Sequence, residues 1–575
     1  MEDIEDLKVT IRDSISSSEL KNLDGEKVLP TKFTKRQEMM REEVSVGEVV
    51  PGTQKIFLKT YGCSHNSSDS EYMAGLLVEY GYKVTDVWEE ADAFLINSCT
   101  VKNPSQQTFM TLVNRAQDTG KPVIVSGCVP QGSPNDKAWK NLSVIGVQQI
   151  NRVVEVVEES LKGNQVHFLS RTKKNKPSLD LPKIRRNPFI EVIPINVGCL
   201  GECTYCKTKH ARGHLGSYPV EEISERVRSV LDEGVCEVRI TSEDTGAYGI
   251  DLKTNIVHLL EAIVPLLPEG VMLRIGMTNP PYILEHLPSI AKFLNHPNVY
   301  SFLHVPVQSG SNRVLDKMKR EYTVEEFKKV ADTLISLVPG ITIATDIICG
   351  FPGEDENDFK ETLQLVNHYK FPILNISQFY PRPGTPAANM KKVPTQTVKA
   401  RSRELTELFN SYSPYQHLLG TTQRAWITET ATDGVHLVGH TKGYVQVLID
   451  PQEASMGSDV TVQIFEIGKF FVRGKVVKKN SHQPYRKIIN KAVVRKLRKR
   501  KENESKETEK ECSVEGCTGP DNCSSKKTDK EIKKGEDKIQ AEGTSPSSKS
   551  NLTLVFLFLF VIFLIAAIYF FQMGK

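Results

Sequence analysis

Residues 198–206 read GCLGECTYC and set three thiols in one short run: Cys199, Cys203 and Cys206, with three residues between the first pair and two between the second. A disulfide uses two sulfurs and a closed zinc site four ligands. Three thiols leave a position open. Directly upstream lies FIEVIPIN, an apolar run bounded by turn residues, which predicts a buried strand with the thiols at its carboxyl end. Five more candidate strands follow: CEVRITS, VMLRIGM, SFLHVPV, TIATDII and ILNISQFY, with helical patterns between most of them. Six strand–helix units are compatible with an open (β/α)6 barrel, whose chemistry gathers at the carboxyl ends of the strands. SEDTGAYG follows the second strand, QSGS the fourth and CGFPGE the fifth, so the polar and glycine-rich motifs share one rim.

A shorter series of the same kind precedes it. KIFLKTY ends at Cys63, AFLINSC at Cys99 and KPVIVSGC at Cys128, each followed or separated by helical sequence. Buried parallel strands read this way, and ligands collect at their carboxyl ends. The three cysteines lie 36 and 29 positions apart in the chain. One strand-end cysteine would be core filler; three in consecutive units predict a second cluster of ligands. Between the two series runs a basic connector, RTKKNKPSLDLPKIRR.

After about residue 420 the helical patterns stop. RAWITET, VHLVGHT, YVQVLI, DVTVQIFEIG and FFVRGKVV predict about five short strands, suited to a small barrel of the oligonucleotide-binding kind. Eleven Lys or Arg residues follow between Lys478 and Lys501, a stretch that suits phosphate contacts or a solvated tail. A low-complexity segment leads to residue 550 and carries Cys512, Cys517 and Cys523, for which no ordered element predicts a role.

The bulk properties agree with this division. A chain of 575 residues exceeds one ordinary core. Its net charge of +4 and pI near 8.3 say little about partners by themselves. Eleven cysteines in this length make no disulfide scaffold, and the acidic opening MEDIEDLKVTIRD is neither a secretory signal nor a transit peptide. A reducing compartment is expected, with cysteines as ligands or nucleophiles. Residues 552–571, LTLVFLFLFVIFLIAAIYFF, carry no charge over 20 positions, which predicts a transmembrane tail anchor. Lys526, Lys527, Lys530, Lys533, Lys534, Lys538 and Lys549 precede it and only Lys575 follows, so the large N-terminal part is expected on the cytosolic side. The weakly charged tip points to the endoplasmic reticulum membrane.

Chemically, cysteine thiolates in this number suit an iron–sulfur cube with one iron left open. Zinc is the alternative; it would need a fourth ligand, for which His210 and His214 are the neighbours. C-x3-C-x2-C with an aromatic before its last cysteine resembles the signature of the radical S-adenosylmethionine (SAM) enzymes. KTYGCSHNSSDSEYMAG, INSCTVK and SGCVPQ resemble the N-terminal domain of the methylthiotransferases. HVPVQSGSNRVLDKMKREYT, DIICGFPGE and FYPRPGTPA are similar to their barrel motifs, and the last strands to their TRAM domain. YGCSHNSSDSE and SEDTGAYG, with the apolar tail, resemble the threonylcarbamoyladenosine branch of that family in its animal form.

The resemblance implies an α/β multidomain chain with these parts: an arm over 1–53, expected to be disordered; a parallel α/β domain over 54–162; a radical SAM core over 185–416; an OB-like TRAM barrel over 417–479; a basic segment and linker over 480–550; and the transmembrane helix over 552–571. It implies two [4Fe-4S] clusters, one on Cys199, Cys203 and Cys206 and one on Cys63, Cys99 and Cys128, with SAM as the further cofactor. Tyr205 would lie near the SAM adenine, Glu243 and Asp244 near its methionine amino group, and Gln308 near its ribose. One SAM would be cleaved by one electron to a 5′-deoxyadenosyl radical that takes hydrogen from adenine C2, and another would methylate the inserted sulfur. The expected product is 2-methylthio-N6-threonylcarbamoyladenosine at position 37 of tRNA, in the lysine acceptor, for accurate codon reading. The anticodon stem-loop is then the partner; an electron donor and a sulfur source are required and not identified. Methylthiolation of isopentenyladenosine or of a protein, or a non-catalytic iron–sulfur adaptor for RNA, are the competing readings. Cys236 and Cys349, outside both triads, read as packing residues.

Overall fold

The computed structural model describes residues 52–100, 103–171 and 176–480. Its first part is a six-stranded parallel sheet of order β2-β1-β3-β4-β5-β6. The strands are β1 (Lys55–Thr60), β2 (Lys83–Thr85), β3 (Ala93–Ser98), β4 (Val123–Gly127), β5 (Ser143–Ile145) and β6 (His167–Phe168). The helices that join them are α1 (Ser64–Tyr80), α2 (Asn103–Gln117), α3 (Cys128–Gly132) and α4 (Val153–Leu161). Successive strand residues go to opposite faces, as a pleat requires. Ile56, Leu95, Ile124 and Ile145 enter the core beneath α1 and α4. Phe57, Phe94, Ile96, Val125 and Val144 enter the other, with Phe109 of α2 and Trp139. Both faces are covered, which is why β3 and β4 are buried throughout. β2, β5 and β6, with only two or three residues each, went unread in the sequence; they are too short to leave an apolar period.

The second part holds β7 (Ile190–Pro194), β8 (Asn196–Val197), α5 (Thr208–Arg212), β9 (Gly216–Ser217), α6 (Val220–Asp232), β10 (Glu237–Thr241), α7 (Ile256–Ile263), β11 (Met272–Ile275), α8 (Leu287–Leu294) and β12 (Phe302–His304). It continues with α9 (Asn312–Lys317), α10 (Val324–Leu337), β13 (Thr342–Cys349), α11 (Glu356–Tyr369), β14 (Ile373–Gln378) and α12 (Thr395–Asn410). Two parallel three-stranded sheets form, β11-β10-β7 and β12-β13-β14, joined by a single parallel bridge between Leu273 and Val299. All six strands read from the sequence are present. No ladder joins β7 to β14, so the barrel is open along that seam. One apolar core runs from Ile193 and Ile240 through Leu273 and Leu303 to Ile347 and Leu374. Cys349 belongs to this core, and Cys236 packs with Phe189, Ile190 and Val192.

The third part is a closed barrel of order β15-β16-β17-β19-β18, from β15 (Thr422–Thr430), β16 (Leu437–Thr441), β17 (Gln446–Ile449), β18 (Asp459–Ile467) and β19 (Phe471–Lys479). Trp426 and Tyr444 pack on Met272, Phe302, Ala344 and Ile373, residues at or near the amino ends of β11 to β14. The small barrel therefore docks on the end of the large one opposite its strand carboxyl termini.

One expected part of the architecture is corrected. Among the described residues no helix is long and apolar enough to cross a membrane. The stretch 552–571, from which a transmembrane helix was expected, lies outside the described residues, and the described fold consists of the three folded parts. The arm up to 51 and the basic and low-complexity stretch from 481, with Cys512, Cys517 and Cys523, lie outside them too.

Candidate active site between two thiol triads

The parallel order β1-β3-β4 brings Cys63, Cys99 and Cys128 together, since each follows the end of one of three adjacent strands. Glycine makes the approach possible. A Cβ at Gly62 would sit 2.2 Å from Cys99 Cβ, and one at Gly127 would sit 2.3 Å from Asn97 Oδ1. Both glycines also hold positive φ, 106° and 92°, which favours residues without a Cβ. Cys63 caps α1, so any negative charge on its sulfur faces the positive end of a helix of 17 residues. Contact with Cys99, then burial, holds the Cys63 thiol well above its ordinary pKa, and burial pushes Cys128 up to about 12. Without a metal these thiols stay protonated; ligation has to displace their protons.

The second triad lies in the loop after β8. Gly201 forms its cradle: a Cβ there would stand 3.8 Å from both Cys199 Sγ and Cys203 Sγ. Arg320 donates to Cys203 Sγ at 3.1 Å, and the Thr208 backbone N–H to Cys206 Sγ at 3.3 Å. Both donors favour a sulfur that carries negative charge. Burial raises Cys199, and it raises Cys203 against the opposing Arg320 charge. All six cysteines are free. Among the described residues no group of three or more His, Cys, Asp or Glu is drawn tight enough for a single metal ion, and His210 and His214 are exposed. Looser trios of thiols fit a cube, which spreads its sulfur ligands over separate irons.

A buried charge network joins the two halves. Arg212, at the end of α5, is 1% exposed; its Nη2 donates to Asn66 Oδ1 at 2.6 Å and to Asp69 Oδ2 at 2.8 Å, both on α1. Its Nε lies 3.1 Å from Glu243 Oε1, and His65 Nδ1 lies 3.6 Å from the same oxygen. Asn66 in turn donates to the carbonyls of Tyr61 and Ser98 at 3.0 and 2.8 Å and accepts from the Cys128 thiol at 3.7 Å. Cys128, Val147 and Ala211 close a small apolar contact alongside. The N-terminal part thus caps the barrel rim. Residues 64–71, SHNSSDSE, are almost all buried although polar, because they are the face of this contact.

A cavity of about 1320 Å³ opens along the unpaired seam. Ile190 and Val192 of β7 line one side and Leu374 to Gln378 of β14 the other, with Cys199, Cys203, Cys206, Gly62 and Ser64 at the rim. Single-ligand pockets are commonly about 300–1,000 Å³, so there is room for a cofactor and a nucleotide together. Tyr205 lines it, edge-on to Phe351 at 6.2 Å, and so does Gln308, held at φ 70° by hydrogen bonds from its N–H to Asp346 O and from Ile348 N–H to its carbonyl. Glu243 and Asp244 lie behind this wall. Glu243 is engaged by Arg212, and Asp244 accepts from Asn279 Nδ2 at 2.6 Å and from the Gly246 N–H at 3.1 Å, its pKa raised to about 6 by burial. Asn279, which lines the cavity, joins Asp244 to Arg320.

Three regions of the chain match known families: 193–366 the radical SAM superfamily, 55–146 the uncharacterized protein family UPF0004, and 416–477 the TRAM domain. A Xenopus laevis protein named threonylcarbamoyladenosine tRNA methylthiotransferase is 54% identical over 483 residues, 82% of this chain and 87% of its own length. The chain belongs to the threonylcarbamoyladenosine tRNA methylthiotransferases. Members from Homo sapiens, 57% identical over 74% of this chain and 75% of theirs, and Danio rerio, 51% over 83% and 87%, share the name. As a radical SAM methylthiotransferase it uses SAM and [4Fe-4S] clusters, and the two free-thiol triads are donor sets of the right kind. Within this methylthiotransferase, sequence reasoning missed Asn66, Asp69, Arg212, Asn279, Arg320 and Arg382, which the fold brings to the triads from distant positions.

Proposed function

We propose that the chain replaces hydrogen at adenine C2 of N6-threonylcarbamoyladenosine with a methylthio group, at position 37 in the anticodon stem-loop of tRNA, with the lysine acceptor as substrate. One observation carries this: a trio of free thiols from the barrel lines a cavity whose rim includes Gly62 and Ser64, the neighbours of Cys63 in a second trio from the cap, and Arg212 ties the two domains together. Bound clusters and SAM would supply the one-electron chemistry that an unactivated C–H bond needs and the methyl group, with the electron and the sulfur coming from a donor and a source outside the chain. Cys199, Cys203 and Cys206 would hold one cluster, and Cys63, Cys99 and Cys128 the other.

The remaining residues bind, orient and exclude water. Arg320 and the Thr208 N–H stabilise charge on the barrel thiolates, and Arg212 does so for the capping triad. Tyr205 and Gln308 bound the space for SAM, while Asp244 acts through Asn279 and Glu243 through Arg212. Met277, Ile348 and Phe379 make the wall apolar. A base reaches this depth only when turned out of its stack, which costs least in a loop. The small barrel, with Lys475, Lys478 and Lys479 on β19, would hold the RNA backbone without choosing the base. Eight free cysteines among the described residues suit a reducing compartment, and we place the catalytic body in the cytosol.

Nucleoside mass spectrometry of tRNA from cells lacking the protein tests the proposal. Loss of 2-methylthio-N6-threonylcarbamoyladenosine, restored by the wild-type chain, is expected. Unchanged tRNA would overturn it.

A further inference from the structure

The cations along the cavity differ in what holds them. Arg239 is paired with Glu237 and Glu429, and Lys209 with Glu202 and the Leu200 carbonyl. Arg320 is taken by Cys203 and Asn279, and Lys207 by the Pro383 carbonyl at 2.7 Å. Lys59, Arg186 and Lys319 are exposed to water. Arg382 alone of these is half-buried with no hydrogen bond to its guanidinium and no carboxylate beside it among the described residues. The titratable groups that act on it are Cys206 of one triad, Cys99 of the other, and Tyr205. A desolvated cation without a partner is costly, and such a group is held in place by the surrounding structure for a ligand to complete.

The backbone around it is rigid. Pro381 and Pro383 flank Arg382, which removes freedom on both sides. The Arg382 carbonyl accepts from Thr385 N–H at 3.1 Å and Thr385 Oγ1 at 2.8 Å. The Lys207 ammonium on Pro383 O, and the Ala387 N–H on Thr204 O at 3.0 Å, lock this loop to the loop that carries Cys203 and Cys206. The backbone of Arg382 therefore stands at a fixed place relative to the loop of Cys203 and Cys206, and its side chain lines the cavity.

We propose that Arg382 binds an oxyanion of the target nucleotide, the carboxylate of its threonylcarbamoyl group or its phosphate, and so positions the base between the two triads. The planar fork of arginine matches either group with two parallel hydrogen bonds. The role presupposes the tRNA substrate proposed above; it is a positioning role, separate from cluster binding.

Fluorescence anisotropy with full-length, cluster-reconstituted protein tests it, using anticodon stem-loops that carry either N6-threonylcarbamoyladenosine or plain adenosine. Arg382→Gln is expected to weaken binding about tenfold or more, the loss of a charge-assisted pair. Weakening of the modified loop alone assigns the carboxylate. Equal weakening of both, with the slope of log affinity against log salt shallower by about 0.7, assigns the phosphate. Should Arg382→Gln also lower the melting temperature, Arg382→Lys decides: it keeps the charge but not the fork, and must still bind the loop less tightly than wild type. Wild-type affinity retained by both variants would overturn the inference alone. Failure of the wild-type protein to bind either loop would instead overturn the RNA reading, and this one with it.

Discussion

The two thiol triads arrive at the contact of cap and barrel by opposite routes. Cys199, Cys203 and Cys206 are neighbours in the chain, and one loop with Gly201 at its centre shapes them. Cys63, Cys99 and Cys128 are strangers in sequence, gathered by the order of three parallel strands. The first arrangement can survive local damage elsewhere. The second is only as good as the sheet and the contact of α1 with the barrel. A local cluster is thus a property of a loop, a dispersed one a property of a fold, and their responses to mutation should separate accordingly.

The largest effect is expected from the ligands themselves. Cys199→Ala and Cys63→Ala should each abolish methylthiolation, measured by nucleoside mass spectrometry, while anisotropy shows tRNA binding nearly intact. Each variant should also reconstitute with about half the wild-type iron, one cube of two. Full iron content in either variant would show that the altered cysteine is not a ligand. Removing iron with a chelator should leave the small barrel folded, because its core of Val447, Ile449, Val460 and Val462 includes no cysteine.

Arg212 comes next. Arg212→Met would leave Asp69 and Glu243 buried and unpaired at the domain contact, for a loss of about 3–5 kcal/mol. Chemical denaturation should show this, along with loss of the dispersed cluster first. Arg320→Met should do the reverse, sparing the cap and impairing the barrel triad. Identical iron loss from the two sites in both variants would erase the distinction between a local and a dispersed cluster.

How much of this could be read in the sequence follows the same division. The barrel triad was legible because its spacing is local, and β7 and β10 to β14 because apolar runs of four or more residues leave a pattern. The cysteines of the cap were legible as strand ends. What held them was not: Asn66, Asp69 and Arg212 are polar residues that a hydropathy reading leaves in solvent, and only the fold shows that they meet. The one available signal was the long polar run 64–71 opening a helix whose later turns are apolar. Glu243 and Asp244 were expected near the methionine amino group of SAM; their partners in the structure, the Arg212 guanidinium beside Glu243 and the Asn279 amide on Asp244, come from distant positions that the sequence does not link. The transmembrane expectation rested on the length and apolarity of 552–571, a stretch that lies outside the described residues.

Glycine substitutions give a smaller and finer contrast. Gly127→Ala should destabilise the metal-free protein by about 1–3 kcal/mol, from positive φ and a clash with Asn97 and Ser98. Gly201→Ala meets nothing closer than 3.8 Å and should change metal-free stability by less than about 0.5 kcal/mol. Its methyl group would stand in the cradle of Cys199 and Cys203, so iron loading at that triad should fall while the fold is untouched. A destabilised Gly201→Ala protein would mean that the loop is strained before any metal enters.

The smallest effect near neutral pH concerns the strut beneath the cap. Glu191 on β7 is fully buried against Lys183, Arg185 and Arg226, and Lys183 also reaches Glu71 of α1 while Arg185 reaches Glu233. Those three cations overcome the penalty of burial and hold the Glu191 carboxyl at about 2, below its ordinary 4.5. A carboxyl lowered in the folded state binds fewer protons there than in the unfolded chain. Its contribution is therefore complete above about pH 4.5 and is lost as pH falls toward 2. Glu71 is raised by burial and works in the opposite sense, so it moderates the fall rather than adding to it. Between pH 8 and 5.5 the stability gap between wild type and Glu191→Gln should stay constant in denaturant titrations, then narrow below pH 4.5. Narrowing already at pH 6 would mean that the three cations do not hold Glu191 ionised, and that the cap rests on the Arg212 network alone.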